Sequence, residues 1–380
     1  MLPFSYALRN LWRRRGRTLL TLLGITTVTV LVVLLFGFAK GLSETTRKTA
    51  SGRVLVLTGS GGEHDLVRSV IPRGKGETVA AKVPHVIEVG QLRAASPEIH
   101  IATRKGDMIG LLRGVTPAAF LVHTQVTVVE GREPQAQREL LVGRLAETRM
   151  GLEPGSIRVG EMLELENMQW KVVGRFAAPG TVLEAEMWGR LDDVVDATQR
   201  ADLSCIMLRF PSEEALEQGR IWIYRNGSAY EVAAVSQAEI FATLQRALDP
   251  VASLAWVMAV LVLIGGILAC ANTMFAAVLA RTREMGALRA LGYGPFAIGT
   301  SLLQESILLG LSGGVLGFWI ADAFGEVPLK FPMGAFYLDM SPSIRLAGLC
   351  AALAAGIIGG IMPAIRAIRM PLKDALGGRL

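Results

Sequence analysis

The fold class of this chain is indicated most directly by residues 251–279, VASLAWVMAVLVLIGGILACANTMFAAVL. This stretch runs for 29 residues without a charged side chain. At 1.5 Å per residue such a helix is about 43 Å long, more than the ~30 Å hydrocarbon core of a bilayer requires. The stretch therefore predicts a transmembrane helix that is longer than the membrane is thick.

Three further apolar runs flank this stretch, at residues 18–39, 296–321 and 346–365. Each is long enough to cross a bilayer, and the run 296–321 contains Gln304 and Glu305. The first run exceeds the ~7–15 apolar residues of a cleaved signal peptide, which is the alternative interpretation. We predict an integral membrane α-helical protein with four transmembrane helices.

Basic residues concentrate in three short segments. Residues 1–17, 280–295 and 366–380 together carry 12 Lys or Arg and two Asp or Glu, whereas residues 40–250 carry 25 basic and 27 acidic residues. Because cytoplasmic loops of membrane proteins are enriched in Lys and Arg, we place the three segments in the cytoplasm. The net charge of +6 thus reports topology, and we expect no nucleic-acid partner.

Residues 40–250 predict an inserted α+β extracytoplasmic domain. Residues 162–176 predict two strands around a turn near Asn167, and short helices are predicted at 144–151 and 190–200. Other segments rich in β-formers predict single strands. These segments are 53–59, 126–132, 139–143, 206–210 and 221–225.

The segment QAEIFATLQRALDP, residues 237–250, leads directly into residues 251–279. Its apolar residues form a helical stripe, and Pro250 either kinks this helix or begins the next one. Two interpretations stay open: a rigid stalk standing above the membrane, or a helix packed on its own domain. The stripe consists of Ile240, Phe241, Leu244, Ala247 and Leu248.

The loop RTREMGALRALGYGP, residues 281–295, is too charged to span a membrane. Glu284 in a first turn and Arg289 in a last turn complement the dipole of a short helix, which Gly292 then ends. Met285, Leu288 and Leu291 give it an apolar edge. The segment is either a compact knob on the cytoplasmic surface or a solvated connector.

Small residues recur every four positions in the last two apolar runs, a spacing that lets helix backbones approach closely. Glu305 is costly in lipid and is expected to face protein or water, as a relay or gating contact or as a buried polar tie. The small residues are Ser306, Gly310 and Gly314 in one run and Ala352, Gly356 and Gly360 in the other.

The sequence contains no phosphate-binding G-x-x-x-x-G-K-[ST] loop and no H-E-x-x-H or G-x-S-x-G motif. We therefore predict no catalytic residue and no metal site, and we interpret the histidines as solvated or packed side chains. The three cysteines exclude a disulfide framework. The histidines are His64, His85, His100 and His123.

Several segments resemble the FtsX-like, MacB-type ABC permease family. Residues 7–25 are similar to its N-terminal signature, 272–298 to its second span and coupling loop, and 305–317 to its third span. Residues 362–376, MPAIRAIRMPLKDAL, resemble its closing motif, and 142–176 its periplasmic core domain.

This resemblance implies an ABC transporter permease in the bacterial inner membrane. A separate cytoplasmic ATPase would bind ATP and Mg²⁺, dock on the short helix, and move the outer domain to export or extract a hydrophobic substrate. A second permease copy or paralogue, membrane lipid and a periplasmic adaptor are the other expected partners. The residues expected to couple to the ATPase are Glu284, Met285, Gly286, Leu288, Arg289, Leu291 and Gly292.

Two alternatives stay open beside export of a lipid, lipoprotein, peptide or drug. One is an ATP-driven regulator of an extracytoplasmic enzyme such as a cell-wall hydrolase, and the other is a stand-alone membrane receptor or scaffold. The predicted segments are, in chain order, a cytoplasmic N-terminus (1–17), span one (18–39), the outer domain (40–250), span two (251–279), a coupling loop (280–295), span three (296–321), an outer loop (322–345), span four (346–365) and a cytoplasmic C-terminus (366–380).

Overall fold

The computed structural model describes residues 4–59, 66, 68–105, 108–325, 327–331 and 334–371, and the chain forms two compact units. The helical unit comprises Met1–Lys40, Val251–Val327 and Leu338–Leu380. The sheet unit comprises Gly41–Pro250 and Pro328–Tyr337.

The helices are numbered in chain order, and two 3₁₀ turns at Val182–Ala185 and Gly227–Tyr230 accompany them. They are α1 (Phe4–Arg13), α2 (Arg15–Thr49), α3 (Arg73–Lys82), α4 (Ala119–Val122), α5 (Ala146–Met150), α6 (Leu191–Thr198), α7 (Glu213–Asn226), α8 (Gln237–Leu279), α9 (Thr282–Ala290), α10 (Pro295–Gly325) and α11 (Pro342–Arg369).

The strands are numbered in the same way. They are β1 (Val54–Gly59), β2 (Glu88–Val89), β3 (Leu92–Arg93), β4 (Ala95–Lys105), β5 (Met108–Val115), β6 (Thr127–Gly131), β7 (Glu139–Gly143), β8 (Met162–Leu165), β9 (Met168–Ala177), β10 (Met187–Arg190), β11 (Cys205–Arg209), β12 (Val232–Ser236), β13 (Pro328–Phe331) and β14 (Gly334–Tyr337).

Four helices are long and apolar enough to cross a membrane: α2, α8, α10 and α11. Each predicted apolar run lies inside one of them, and each helix extends beyond its run. A helix satisfies its own backbone hydrogen bonds, which is why apolar sequence of this length adopts it in lipid. The predicted fold class, four transmembrane helices with an inserted α+β domain, is confirmed.

Helices α10 and α11 pack closely through the small residues that the sequence identified. A Cβ atom on Gly310 would lie 2.9 Å from the carbonyl oxygen of Ala352, and one on Gly356 would lie 2.7 Å from that of Ser306. The hydroxyl of Ser306 donates a hydrogen bond to the Gly356 carbonyl. A larger side chain at either glycine would separate the two helices, so the predicted close approach is confirmed.

The loop before α11 is held to the middle of α2 by polar contacts within the helical unit. Lys40 Nζ lies 2.9 Å from the Asp339 carboxylate and donates a 2.8 Å hydrogen bond to the Ser341 hydroxyl. The Asp339 amide donates to the carbonyl of Gly37 at 3.0 Å. These bonds fix the start of α11 against α2.

The sheet unit is built on one mixed sheet of ten described strands, ordered β12-β1-β11-β4-β5-β10-β7-β9-β6, with β8 on β9. The long strand β4 pairs with β11 through its first half and with β5 through its second half. It therefore joins the two ends of the sheet, and its middle lies in the interior. The main core includes the fully buried side chains Trp170, Ile99 and Leu112.

Two local predictions in this unit are confirmed. Strands β8 and β9 form a hairpin whose two turn residues, Glu166 and Asn167, have φ of 51° and 59°. Positive φ at both central residues is the geometry that matches the twist of a two-residue hairpin. Helix α5 ends at Gly151, whose φ of 79° is the left-handed conformation typical of a helix C-cap.

The predicted strand at 221–225 is wrong, because this segment lies inside helix α7. The helix signal begins upstream, where the Ser212 hydroxyl accepts a hydrogen bond from the amide of Ala215 and caps the first turn. Leu216, Gly219 and Ile223 then form one buried face at helical spacing. Five alternating residues do not outweigh a capped amphipathic helix of 14 residues.

Helix α8 runs without interruption from Gln237 through Pro250 to Leu279, so the segment 237–250 and span two are one helix. Ile240 packs against the main core of the sheet unit, and Gln245 Nε2 lies 3.5 Å from the Ser43 hydroxyl of α2. The segment therefore has features of both interpretations, since it extends span two and also packs partly on its own domain.

The predicted outer loop 322–345 contains a structure that the sequence analysis did not identify. Its strands β13 and β14 form a hairpin that belongs to the sheet unit, where Ala335 packs with Leu145 and Ala185. The hairpin and the domain 41–250 are therefore one body. The placement of both segments on the same side of the membrane stays a prediction.

Candidate coupling site

Helix α9 connects the second and third membrane-capable helices, and its ends follow the predicted signals. Arg281 precedes it in a non-helical conformation, and Glu284 lies in its first turn. After Ala290 the chain leaves the helix at Gly292, whose φ is 92°, and the amide of Tyr293 donates to the Leu288 carbonyl at 3.1 Å. Left-handed backbone at this position favours glycine and stops the helix cleanly.

The inner face of α9 carries four of the predicted coupling residues. Met285 is buried against the helical unit, and Leu288 packs on the same cluster. Gly286 is also buried. The guanidinium of Arg289 donates a hydrogen bond to the carbonyl of Met370 at the end of α11. These four residues hold α9 in place rather than forming its free surface.

The other predicted coupling residues point outward, and the apolar edge expected for this helix is therefore divided. Leu291 is 78% exposed, whereas Met285 is 6% exposed. Glu284 and Gly292 are exposed as well. We define the exposed face of α9 as Arg283, Glu284, Ala287, Ala290 and Leu291.

Glu305 on α10 lies at the base of α9 and is 1% exposed. The Arg281 guanidinium donates to both of its carboxylate oxygens, at 2.8 and 2.9 Å. The side-chain amide of Asn10, on α1, donates to the same carboxylate at 2.9 Å. One buried carboxylate thus joins α1, the residue before α9, and α10.

The position of Glu305 in an apolar run predicts a buried polar residue, but neither of its partners was predicted. A buried charge in a membrane-capable helix is costly unless it is paired, and an arginine from a neighbouring basic segment is its natural counter-ion. The candidates for this counter-ion are therefore the basic residues of 1–17 and 280–295. No sequence feature distinguishes Arg281 among them, and none indicates Asn10 as a hydrogen-bond partner.

A small cavity of about 20 Å³ lies beside this ion pair, lined among others by Tyr6, Ser301 and Met285. The Ser301 hydroxyl is buried and has no hydrogen-bond partner among the described protein atoms. A space of this size holds about one water molecule, which Ser301 is positioned to bind. The base of α9 is therefore a polar, closely packed joint.

A weaker contact supports the first turn of α9 from outside. Arg14 Nη2 lies 3.4 Å from the Glu284 carboxylate, and both side chains are partly exposed. Water screens a pair of this kind, so it contributes less than about 1 kcal/mol to stability. The buried pair at Glu305, and not this one, fixes the position of α9.

A second buried polar cluster lies inside the sheet unit. Arg113 on β5 forms two 2.7 Å hydrogen bonds with Glu186 and one of 2.6 Å with Glu98. Glu98 also accepts from His123 at 2.8 Å and lies 3.1 Å from His100 Nε2. Two histidines that are distant in sequence therefore converge on one carboxylate. No sequence pattern indicated that His100 and His123 contact the same carboxylate. The histidine His64 lies outside the described residues.

The charges in this cluster determine one another. Burial opposes ionisation of Glu98, but Arg113 and the two histidines outweigh it and hold the pKa of Glu98 well below its usual range. Burial also opposes ionisation of Glu186, and Arg113 likewise lowers its pKa. Burial and the Arg113 charge lower the pKa of His100, so this ring is neutral at pH 7.

Three potential metal ligands meet in the same cluster, because donor atoms of Glu98, His100 and Cys205 lie within 4.8 Å of one another. A zinc ion requires the thiolate of cysteine, whereas burial raises the pKa of Cys205 well above its usual value. The Arg113 guanidinium already occupies the Glu98 carboxylate. The donor set fits an internal ion-pair network better than a metal site.

Two family comparisons match these regions. Residues 18–223 match the MacB-like periplasmic core domain, and residues 256–372 match the FtsX-like permease C-terminal domain. The chain belongs to this ABC permease family. In this permease the second match contains all of α9 together with Arg281 and Glu305, and Asn10 lies outside both matches.

Two curated relatives illustrate the similarity. The permease is 28% identical over 409 residues to the pyoverdine export ATP-binding/permease protein PvdT of Pseudomonas putida. It is 25% identical over 409 residues to the macrolide export ATP-binding/permease protein MacB of Burkholderia cenocepacia. These alignments cover 97% and 98% of the permease and 58% of each relative, so the chain spans less than two thirds of their length.

Two solved structures are similar to part of the permease at 12% identity. The periplasmic region of MacB from Actinobacillus actinomycetemcomitans matches over 53% of this chain and 96% of its own, with a TM-score of 0.38. The extracellular domain of the noncanonic ABC-type transporter YknZ from Gram-positive bacteria matches over 48% of this chain and 99% of its own, with a TM-score of 0.36.

Proposed function

We propose that this permease couples ATP hydrolysis on an ABC ATPase to movement of its sheet unit, for export or extraction of a hydrophobic substrate. The ATPase binds ATP and Mg²⁺ and docks on the exposed face of α9. The permease lies in the bacterial inner membrane, and its substrate is a lipid, lipoprotein, peptide or drug.

One observation carries this proposal: α9 is anchored at its base and free on its outer face. Arg281, immediately before the helix, is held by the buried Glu305 of α10. Leu291, at the other end of the helix, is exposed. A helix held in this way passes a displacement of its outer face to α10 and α1 instead of rotating on a flexible loop.

The second step of the mechanism uses the long helices. Helices α2 and α8 continue beyond their apolar runs into the sheet unit, to Thr49 and from Gln237 respectively. Each of these helices leads from its apolar run to the sheet unit without an intervening loop, so a displacement of the run has a direct path along the helix. The substrate itself need not cross the membrane in this mechanism.

The working unit contains two permeases and two ATPases, the second permease being a copy of this chain or a paralogue. Helix α8 presents a row of exposed apolar side chains that either lipid or a second permease would cover. Export is supported by the names of PvdT and MacB, which are described as exporters of pyoverdine and macrolides. A periplasmic adaptor is a further proposed partner on the outer side.

The test compares two exposed apolar residues that flank α10 at its opposite ends. Leu291 is 78% exposed and Val327 is 49% exposed. The Leu291→Asp and Val327→Asp variants are purified by affinity from the native membrane, and the co-purifying ABC ATPase and its activity are measured. We expect the Leu291→Asp variant to co-purify with at least tenfold less ATPase than the unmodified permease. The Val327→Asp variant should retain the unmodified amount.

Equal retention of the ATPase in both variants would disprove docking on α9. Cysteine labelling checks the topology independently: a Leu291→Cys variant must react only from the cytoplasm and a Glu153→Cys variant only from outside. If a cell-wall hydrolase co-purifies with the outer domain in place of an adaptor, the regulatory alternative replaces export.

A further inference from the structure

A groove of about 720 Å³ lies in the helical unit, at the ends of α8 and α11 that adjoin α9. Phe275 on α8 and Met362 and Ile365 on α11 form its apolar wall. Arg366 and Arg369, near the end of α11, form its polar rim. The groove therefore changes from apolar to basic over about two helical turns.

The two rim arginines are available for a ligand. Both are exposed and three residues apart, which places them on the same face of α11. Neither forms an ion pair or a hydrogen bond with any part of the chain that the structure describes. In contrast, Arg281 is paired with Glu305, and Arg14 contacts Glu284. The groove thus holds two positive charges that no described residue compensates.

The position of the groove restricts what fills it. The apolar run of span four ends at residue 365, and Arg366 is the next residue. The apolar wall consequently lies at the level of the hydrocarbon, while the rim lies at the level of the lipid head groups. A soluble anion leaves the wall exposed to lipid chains, and a soluble partner protein does not reach into the hydrocarbon.

We propose that this groove is a binding site for one anionic phospholipid of the cytoplasmic leaflet. The phosphate of the head group pairs with Arg366 and Arg369, and an acyl chain lies against Phe275 and Met362. Basic pockets between transmembrane helices on the cytoplasmic side are suited to such head groups. The inference depends on the membrane placement of α8 and α11 and not on the docking of an ATPase.

The lipid would also support the coupling site. Met370 lines the groove, and its carbonyl accepts the hydrogen bond from Arg289 of α9. Thr282, in the first turn of α9, lines the groove as well. A bound lipid therefore contacts both the end of α11 and the start of the docking helix, and it favours the arrangement in which they are joined.

The experiment measures lipid retained by the full-length permease. The protein is delipidated in detergent and titrated with phosphatidylglycerol or with phosphatidylcholine, and bound lipid is counted by native mass spectrometry. The test variant is Arg366→Gln/Arg369→Gln. The matched control is Arg9→Gln/Arg13→Gln, which removes two exposed arginines from the same end of the unit but outside the groove.

We expect the groove variant to bind phosphatidylglycerol about 25-fold more weakly, at about fivefold per arginine, with phosphatidylcholine binding unchanged. The control variant should bind as the unmodified chain does. Equal losses in both variants, or no loss in the groove variant, would overturn the proposal. So would competition by sn-glycerol 3-phosphate or inorganic phosphate at the lipid's own concentration, because either result would indicate a simple anion site.

A second measurement needs no variant and therefore does not depend on how a mutant folds. In the unmodified permease, phosphatidylglycerol should slow hydrogen exchange of the backbone amides at 362–370 at least threefold relative to phosphatidylcholine. Unchanged exchange in this segment with phosphatidylglycerol bound would place the lipid elsewhere and would contradict the assignment.

Discussion

The permease contains two buried ion networks, and they are built differently. In the helical unit a single carboxylate, Glu305, is shared by Arg281 and Asn10, and these groups come from three separate helical segments. In the sheet unit one arginine, Arg113, is shared by Glu98 and Glu186, on neighbouring parts of one sheet. The first network joins helical segments of the helical unit, whereas the second joins β4, β5 and the segment before β10 inside the sheet unit.

The two networks should therefore contribute to different properties of the permease. Glu98 and Arg113 lie on the paired strands β4 and β5, and both are buried, so the loss of one partner leaves a charge that water does not reach. The Glu305 network lies where helices meet, and those helices have other contacts. We therefore expect damage to the sheet network to appear as lost stability, and damage to the Glu305 network to appear mainly as lost coupling.

The largest effect is expected for Arg113→Met. This change leaves Glu98 and Glu186 buried without their guanidinium partner, which should destabilise the sheet unit by about 3–5 kcal/mol. Denaturant unfolding of the full permease in detergent, followed by hydrogen exchange in β4 and β11, measures it. The control is Arg220→Met, which removes exposed pairs with Glu217 and Glu239 and should cost less than about 1 kcal/mol.

A loss of less than about 1 kcal/mol for Arg113→Met would show that water reaches the sheet network and that the comparison between the networks is mistaken.

A smaller effect on stability is expected for Arg281→Met. Glu305 would keep the Asn10 hydrogen bond but lose those from Arg281, at a cost of about 2–3 kcal/mol. The double change Arg281→Met/Glu305→Leu should recover part of that stability, because no unpaired charge remains. Coupling should be lost in both variants. It is measured as substrate-stimulated activity of the co-purified ATPase.

If the double variant regained full coupling, Glu305 would be a packing residue and not a joint for α9. If the single variant unfolded the sheet unit, the separation between the two networks would fail. Urea unfolding monitored by hydrogen exchange in each unit distinguishes these outcomes.

Acid should destabilise the sheet unit selectively between pH 7 and pH 4. This loss of stability should be smaller than that caused by Arg113→Met or Arg281→Met. The folded pKa of His100 is lowered, so the unfolded chain takes up a proton first, and stability falls as the pH drops below about 6.5. The folded pKa values of Glu98 and Glu186 are also lowered, so further stability is lost below about pH 4.5 as these carboxylates become protonated.

Hydrogen exchange of β4 and β11 against pH measures this loss, and His100→Gln should remove the part between pH 6.5 and pH 5. Protection that is constant, or that rises as the pH falls, would contradict the charge assignment in the cluster.

The smallest effect is expected for Glu284→Gln. Its pair with Arg14 is partly exposed and 3.4 Å long, so the stability of the permease should change by less than about 0.5 kcal/mol. Thermal unfolding in detergent checks this value. A larger loss would mean that α9 depends on its outer contact as well as on its base.

Much of the fold was predictable from local sequence. Length and hydropathy predicted α2, α8, α10 and α11, and glycine spacing predicted the close approach of two of them. The turn at Asn167 and the end of α5 at Gly151 followed from conformational preferences of single residues. The prediction of a strand at 221–225 failed because a short alternating pattern does not reveal a helix that is capped upstream by Ser212.

The candidate site was predictable only in part. Charge and capping signals located α9, but its apolar residues did not show which of them face inward. Met285 packs inside and Leu291 stays exposed because α9 docks on helices that lie close in space and not in sequence. The basic excess near residue 366 predicted the orientation of α11, but not the groove beside it.

Local sequence identifies the segments that are long and apolar enough to cross a membrane, the segments that carry the basic excess, and the glycines that allow helices to touch, because these properties belong to single segments. Only the tertiary structure decided that Glu305 meets Arg281 and Asn10, and that His100 and His123 meet Glu98. The physical reason is that a buried charge selects its partner by distance in the folded chain, and a linear sequence contains no such distance.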